Sequence, residues 1–395
     1  MRRLFAVLLV FILLPAHGAL AAEQPLFAWS IELGGDGLTS PAAMATSMDG
    51  GIFIVGSTNS EDGLLGESLG GLDGFILRVA ENGAILWEKR LGGSLDDELT
   101  TVVEMPDGGC LALGTTLSAD GDARSSRGGS DAWLVRLDAE GELIFSKCLG
   151  GSLDDALTVL QITEDGMVFA CGRTQSRNGD LRANFGGYDA WATLLSSEDG
   201  KPIWTYRYGF TGDDTFTAAY PIHDGWLLLG EVAEEIPQGD GEDPLYTNRP
   251  IAQMLSIEGE PTWETPIMLG DTGDNRLFAI AETDTGWLLA GETNSRSALM
   301  PTPHGGMDIW VLHMRQTGTV AWQRAFGSTK DEQLLSIQAM PSGGYSLLGK
   351  TNAGHGTDAQ VYGAHGAGDV WIARLTPSGI LDWQQPIGGS GESSP

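Results

Sequence analysis

The sequence predicts an all-β fold, a six-bladed β-propeller of four-stranded antiparallel blades with terminal strands closing the ring. Three observations carry this: a segment of the form W-x-x-x-x-G-G-S-L-D-D recurs, each interval holds four short β-rich runs, and no interval has helical periodicity. The recurring glycine falls at Gly34, Gly92, Gly150, Gly209, Gly270, Gly327 and Gly388, giving six units of about 59 residues. A repeat that cannot bury its own faces must pack against its neighbours, and four antiparallel strands repeated six times do so as propeller blades.

The second unit shows the elements in order. Residues 99–105 form run A, Pro106-Asp107-Gly108-Gly109 is a tight turn, and residues 110–116 form run B. A polar stretch over 117–130 leads to run C at 131–137, then a turn at Asp138-Ala139-Glu140-Gly141 and run D at 143–149. D-type runs recur at 27–33, 85–91, 203–208, 262–269, 320–326 and 380–387, so there are seven for six A–B–C sets. The surplus predicts that the first and last segments meet to close the ring. The expected division is a leader over 1–21, a closing strand over 22–33, blades over 34–91, 92–149, 150–208, 209–269, 270–326 and 327–387, and a tail over 388–395.

Arg2 and Arg3, the apolar run 4–14 and Ala19-Leu20-Ala21 form a secretory leader cut after Ala21. With no Cys near the cut, a secreted, periplasmic or cell-surface protein without a lipid anchor is expected, with no transmembrane segment in the mature chain. Formal net charge is −31, and losing Arg2 and Arg3 makes it −33. Nucleic acid is excluded as a partner, because binding it means neutralising phosphates with Lys and Arg. Cys110, Cys148 and Cys171 are odd in number, fit no zinc or redox spacing, and read as small apolar strand residues.

If run A is innermost, the D–A and B–C connections share one face, which carries every long loop. That face collects acid. At the D–A junctions stand Asp36, Asp96, Asp97, Asp154, Asp155, Asp213, Asp214, Asp274, Asp331 and Glu332. These carboxylates either brace their own turns by accepting amide hydrogen bonds, or converge on a Ca²⁺ ion, or receive a cationic or polyhydroxylated ligand. The candidate metal ligands are Asp96, Asp97, Asp154, Asp155, Asp213, Asp214, Asp274 and Asp331. A second set lies in the B–C loops, with Asp120, Asp122, Asp180, Asp240 and Asp243 as candidate binding-face residues beside His304 and His365. The fourth loop, 231–250, is the longest and most acidic, and is the expected seat of specificity. No catalytic constellation is legible: there is no G-x-S-x-G elbow, and His304, His355 and His365 lack matched cysteines for zinc. Ten of twelve Trp fall on two repeat stations, Trp29, Trp87, Trp204, Trp263, Trp322 and Trp383 on run D and Trp133, Trp191, Trp310 and Trp371 on run C, which marks them as packing residues.

The stations Gly114-Thr115-Thr116-Leu117-Ser118, Gly128-Gly129-Ser130-Asp131-Ala132-Trp133 and Gly291-Glu292-Thr293-Asn294-Ser295 resemble the bacterial extracellular β-propeller repeat family (SBBP type). The resemblance implies a secreted or surface propeller without a shared chemistry. The fourth unit departs from it, with Asn248-Arg249-Pro250-Ile251-Ala252 at the GG-x-D-x-W station. The runs ending at Trp204 and Trp322 also look like the tryptophan-docking motif of pyrroloquinoline quinone (PQQ) propellers. Those generally have eight blades and often adjacent cysteines, so the quinone is not expected here. The reading is a monomeric exported binding or scaffold protein with a protein or glycan ligand. The alternative is a Ca²⁺-dependent carbohydrate-acting or quinoprotein-like enzyme.

Overall fold

A computed structural model describes residues 29–163, 165–181, 183–236, 245–270, 273–295, 304–354, 356–366 and 368–389. Among them there is no helix, and the strands form six four-stranded antiparallel sheets plus one two-stranded ribbon. Each sheet takes its strands in sequence order, as the six-bladed reading requires.

Blade 1 holds β1 (Thr39–Thr46), β2 (Ile52–Thr58), β3 (Asp73–Val79) and β4 (Ile85–Leu91). Blade 2 holds β5 (Asp97–Glu104), β6 (Cys110–Thr116), β7 (Asp131–Leu137) and β8 (Leu143–Leu149). Blade 3 holds β9 (Asp155–Ile162), β10 (Val168–Thr174), β11 (Asp189–Leu195) and β12 (Pro202–Tyr208). Blade 4 holds β13 (Thr215–Ile222), β14 (Gly225–Ile236), β15 (Leu245–Ser256) and β16 (Ile267–Met268). Blade 5 holds β17 (Asn275–Thr283), β18 (Gly286–Thr293), β19 (Asp308–Arg315) and β20 (Val320–Phe326). In blade 6, β21 (Glu332–Ala339) and β22 (Tyr345–Thr351) are followed by the ribbon β23 (Gly356–Asp358) and β24 (Val361–Ala364), then β25 (Asp369–Leu375) and β26 (Leu381–Ile387).

Packing divides the chain into two compact units. The described residues of one fall within Met1–Val168, Asn178–Leu181 and Ser196–Lys201, those of the other within Phe169–Arg177, Arg182–Leu195 and Pro202–Pro395. In the first unit the core between blades 1 and 2 gathers Phe53, Val55, Leu99, Val102, Ala112, Trp133 and Val135, all buried. In the second unit two such cores form, one around Leu229, Leu277, Leu289 and Trp310 and the other around Ile309, Leu334, Ile337 and Trp371. Strands covered on both faces read as continuous apolar runs, and β3, β7 and β11 are buried at all seven positions. Cys110, Cys148 and Cys171 are free and buried in these layers, where burial pushes the Cys110 thiol up to about 12.

A docking contact repeats between consecutive units. The aromatic of run D lies over the glycine of the next C–D turn: Trp29 over Gly83, Trp87 over Gly141, Phe145 over Gly200, Trp204 over Gly259, Trp263 with Ile267 over Gly318, and Trp322 over Gly379. Three of these indoles also donate to a carbonyl of that turn, Trp29 to Glu81, Trp87 to Ala139 and Trp204 to Ile257, each at 2.9 Å. The six glycines leave Trp383 as the seventh aromatic of the series, and it is 48% exposed.

Four features differ from the sequence expectation. Of the expected closing strand over 22–33, residues 22–28 lie outside the described residues and 29–33 form no strand, although Trp29, Ile31 and Leu33 pack on the core of blade 1. The fourth strand of blade 6 is its own β26, so that sheet is complete without them. Run D of blade 4 shrinks to Ile267–Met268, and Thr262 to Thr265 bend, with the Thr262 amide still donating to the Met254 carbonyl at 2.9 Å. Much of the expected loop 231–250 is strand, because β14 and β15 pair continuously from Gly225↔Ser256 to Ile236↔Leu245. Finally, strand A carries a register shift near its start in blades 1, 2, 4, 5 and 6, for example between Leu99 and Thr101. Such a bulge adds twist and re-aims side chains, and it leaves no signature in the apolar period.

Candidate functional site

The D–A acids build a clasp between successive repeats. The first acid of each pair accepts, at 2.9 Å, the amide of a residue 24 or 25 positions earlier, at the end of the preceding B–C loop: Asp96 from Leu72, Asp154 from Ser130, Asp213 from Tyr188 and Asp331 from Met307. The return bond comes from the next residue. The amides of Asp97, Asp155, Asp214 and Glu332 donate to the carbonyls of those same four residues at 2.6 Å. The second glycine of the G-G station is thereby explained: a Cβ at Gly71, Gly129, Gly187 or Gly306 would collide with the clasping carboxylate.

The second acid opens strand A and is buried. Asp97 accepts from the Gly93 amide at 2.7 Å, from Ser118 Oγ at 2.9 Å, and from Thr116 Oγ1. Asp155 accepts from Gly151 at 2.7 Å, and Asp214 from Phe210 at 2.6 Å and Ala233 at 2.8 Å. Glu332 accepts from the Ser328 amide and hydroxyl and from Thr351 Oγ1, at 2.6 to 2.7 Å. Burial disfavours the charged form. It raises Asp97, takes Asp214 up to about 6 with help from the charges of Asp189 and Asp213, and takes Glu332 up to about 7 with help from Asp308.

A third set of acids stands opposite. Asp73, Asp131, Asp189, Asp308 and Asp369 open strand C with 0% exposure. Each accepts the amide four residues before it, from Leu69, Arg127, Phe185, His304 and His365, at 2.6 to 3.1 Å. In the sequence these residues stand only as a family station. The signal available is an Asp at the first position of a strand with no exposed residue.

The B–C acids are also tied into backbone. Asp62 accepts from Asp36, Asp120 from Ser94 and Asn178 from Ser152 at 2.8 to 2.9 Å, while Asp122 and Asp180 take the amides of Gly92 and Gly150 at 3.2 and 3.1 Å. Amide donation holds Asp36 and Asp120 below the usual carboxylate range. Asp36 in turn accepts from Glu61, and Asp274 pairs with Asn294 rather than reaching the preceding blade. The His365 ring lies 3.6 Å from Asp369, and His304 is half-buried. Asp240, Asp243 and His355 lie outside the described residues. Among the described residues, no three His, Cys, Asp or Glu side chains gather as a metal set.

Within the second unit a cavity of about 300 Å³ opens beside the last clasp, lined by Glu292, Met307, Asp331, Glu332, Gln333, Lys350 and Asn352. Glu292 is pushed up by burial, and its Oε1 accepts the Leu334 amide at 3.2 Å. Lys350 is the one cation on this wall.

Blade 4 breaks the pattern. At the register where Thr58, Thr116, Thr293 and Thr351 pair with Asp73, Asp131, Asp308 and Asp369, it pairs Val232 with Arg249. Its β14 and β15 are 12 residues long, against seven or eight for their counterparts.

No family model matches the chain. It is 22% identical over 399 residues to the regulatory protein FlaEY of Caulobacter vibrioides, covering 89% of this chain, and it spans 40% of the length of that curated relative. Among solved structures it is similar to hydrazine synthase of Kuenenia stuttgartiensis, with TM-score 0.46, 10% identity, and 88% and 87% of the two chains covered. It is also similar to the apocarotenoid oxygenase of Synechocystis, with TM-score 0.44, 12% identity, and 88% and 71% covered. A third is an α-L-arabinofuranosidase of Fusarium graminearum, with TM-score 0.42, 9% identity, and 78% and 87% covered.

Proposed function

We propose that the protein is an exported binding or scaffold module of the bacterial extracellular propeller-repeat type, and that the long hairpin of blade 4 carries its partner specificity. The supporting observation is that hairpin. Elsewhere Asp96, Asp154, Asp213 and Asp331 are committed to backbone donors of the preceding repeat. From blade 4 to blade 5 that clasp is lost, since Asp274 pairs with Asn294, and blade 4 extends a two-stranded ribbon. An isolated ribbon is marginally stable in water, so its length is not explained by the core. Its acidic end suits a partner presenting cations or hydroxyl groups. The curated relative is named a regulatory protein, which fits action by contact.

The test compares the mature chain with a variant in which residues 235–246 are replaced by a two-residue Asn-Gly turn joining Glu234 to Thr247, which keeps the Ala233 amide on Asp214. Both are immobilised and probed with arrayed extracellular glycans and with envelope proteins. The expected result is a defined ligand retained by the full hairpin and weakened at least about tenfold in the shortened form at unchanged melting temperature, a loss of about 1.4 kcal/mol. Equal binding by both forms would overturn the assignment.

A further inference from the structure

Three exposed leucines converge at the junction of blades 1 and 2: Leu69 at 49% exposure, Leu95 at 52% and Leu117 at 44%. They come from three separate connections of the long-loop side. The Leu95 amide donates to Ser118 Oγ at 2.9 Å, and the Leu117 amide to the Asp96 carbonyl at 2.9 Å. Leu69 arrives from the preceding blade, where a Cβ on the next residue, Gly70, would collide with the Ser94 backbone.

The other repeats build the same backbone without these side chains. Four residues before the strand C acid, at the place of Leu69, blades 2, 5 and 6 have Arg127, His304 and His365. Before the clasping acid, at the place of Leu95, Gly212 and Lys330 precede Asp213 and Asp331. After the Thr that ends strand B, at the place of Leu117, stand Asn59, Asn294 and Asn352, whose side chains accept the amides of Leu38, Asp274 and Gly368. The bond from Leu95 to Ser118 is made in blade 1 by Gly37 to Ser60. The fold therefore does not require leucine at any of the three places. Leu153 and Phe185 are exposed too, but each stands alone at its junction, beside Arg127 and Gln175 or beside Gly212 and Ala233. A single exposed apolar residue is ordinary, whereas a group of them marks an interaction surface.

The patch is rimmed by acid. Glu67 lies two residues before Leu69, Asp96 and Glu98 follow Leu95, and Asp120 holds the Ser94 amide at 2.8 Å, all of them exposed. Glu67 and Glu98 make no hydrogen bond or ion pair among the described residues. The cations of the three connections are Arg124 and Arg127, and both are engaged: Arg124 with the Gly121 carbonyl at 2.6 Å, Arg127 with the Gly150 carbonyl at 2.9 Å and Asp180 at 2.8 Å. Apolar side chains ringed by one sign of charge suit a partner of the inverse pattern. We propose that this junction is a docking surface for a protein segment that presents apolar side chains flanked by Lys or Arg. Anionic lipid would meet the acids with like charge, and so would the same patch on a second copy of the chain. The surface belongs to the first unit and the hairpin of blade 4 to the second, so the two assignments stand or fall separately.

Fluorescence anisotropy near neutral pH and about 0.15 M salt tests this, with a labelled amphipathic Leu/Lys peptide and a Ser/Lys peptide of equal charge as probes. The mature chain binds the first and, at the same concentrations, not the second. The triple variant Leu69→His, Leu95→Gly, Leu117→Asn places there residues that other repeats carry, keeps the charge, and weakens binding at least about tenfold. Glu67→Gln combined with Glu98→Gln also weakens binding and flattens its dependence on salt. If the triple variant melts below the wild type, Leu117→Asn alone decides, with an expected loss of about threefold. No binding of the Leu/Lys peptide up to about 100 µM would overturn the proposal, as would equal binding by the wild type and the leucine variants, or equal binding of the two peptides. So would self-association of the mature chain that the triple variant abolishes, which would make a second copy the occupant.

Discussion

Trp87→Ala destabilises the protein by about 3 kcal/mol, near the lower end of the range for removing a large packed aromatic, and Gly141→Ala costs about 2 kcal/mol or more although it adds a single methyl group. Both act on one contact. Gly141 has φ of +83°, where an L side chain is strained, and its Cβ would lie 2.7 Å from Trp87 Cδ2. The added methyl lifts the indole away from the turn, stretching its 2.9 Å hydrogen bond to Ala139 and its tilted contact with Phe53, whose ring centroid is 6.0 Å away. The matched control is Trp383→Ala. That residue holds the same repeat station but lies over no turn glycine among the described residues and is 48% exposed, so its removal costs less than about 1 kcal/mol. Urea unfolding of the three variants checks the ranking, and equal losses for Trp87 and Trp383 would contradict it.

Raising the pH from 5 to 8 lowers the melting temperature. Glu332 ionises near its ordinary 4.5 in the unfolded chain but only at about 7 in the folded one, and Asp214 moves from 3.8 to about 6. Between those values the unfolded chain binds fewer protons than the folded chain, so stability falls as pH rises through the window from about 4 to 7. Each group contributes on the order of 3 kcal/mol. Glu332 faces Asp308, Ser328 and Thr351; Asp214 faces Asp189 and Asp213. On the acid side the opposite limb appears. Asp49, held at about 2 by the Gly51 amide and the Arg78 guanidinium, and Asp107, lowered by Arg136, stabilise the fold above the unfolded carboxylate range and lose that effect as pH falls. The maximum therefore lies near pH 4 to 5. Glu332→Gln flattens the alkaline limb, and a melting temperature that rises from pH 5 to 8 would contradict this account.

The parts of the fold set by local pattern are legible in the sequence. Strands β6, β7 and β8 begin and end at the residues expected from run and turn chemistry, because glycine and aromatic stations recur in every unit. What depends on the neighbouring repeat is not legible. The register shift after Leu99 and the bends at Thr262 to Thr265 leave no mark in the apolar period. The acids at 96, 154, 213 and 331 are visible as residues, but their amide partners lie 24 or 25 positions upstream, beyond any local window. Asp73 and Asp131 do not stand out, because a charged residue at a strand start reads as exposed, and only the second carboxylate across the junction shows otherwise. Loop 231–250 reads as irregular because its acidity and its break from the repeat resemble a loop, whereas backbone pairing carries β14 and β15 through it.

The central claim is that Asp96, Asp154, Asp213 and Asp331 each hold their repeat to the one before it, leaving the junction from blade 4 to blade 5 as the place where the pattern is released. Amide hydrogen exchange on Asp96→Ala under native conditions tests it most directly. The account predicts that the Leu72 amide, in the preceding repeat, loses protection while the amides of Cys110–Thr116 keep theirs. Loss of protection confined to residues 92–98, with Leu72 unchanged, would contradict it.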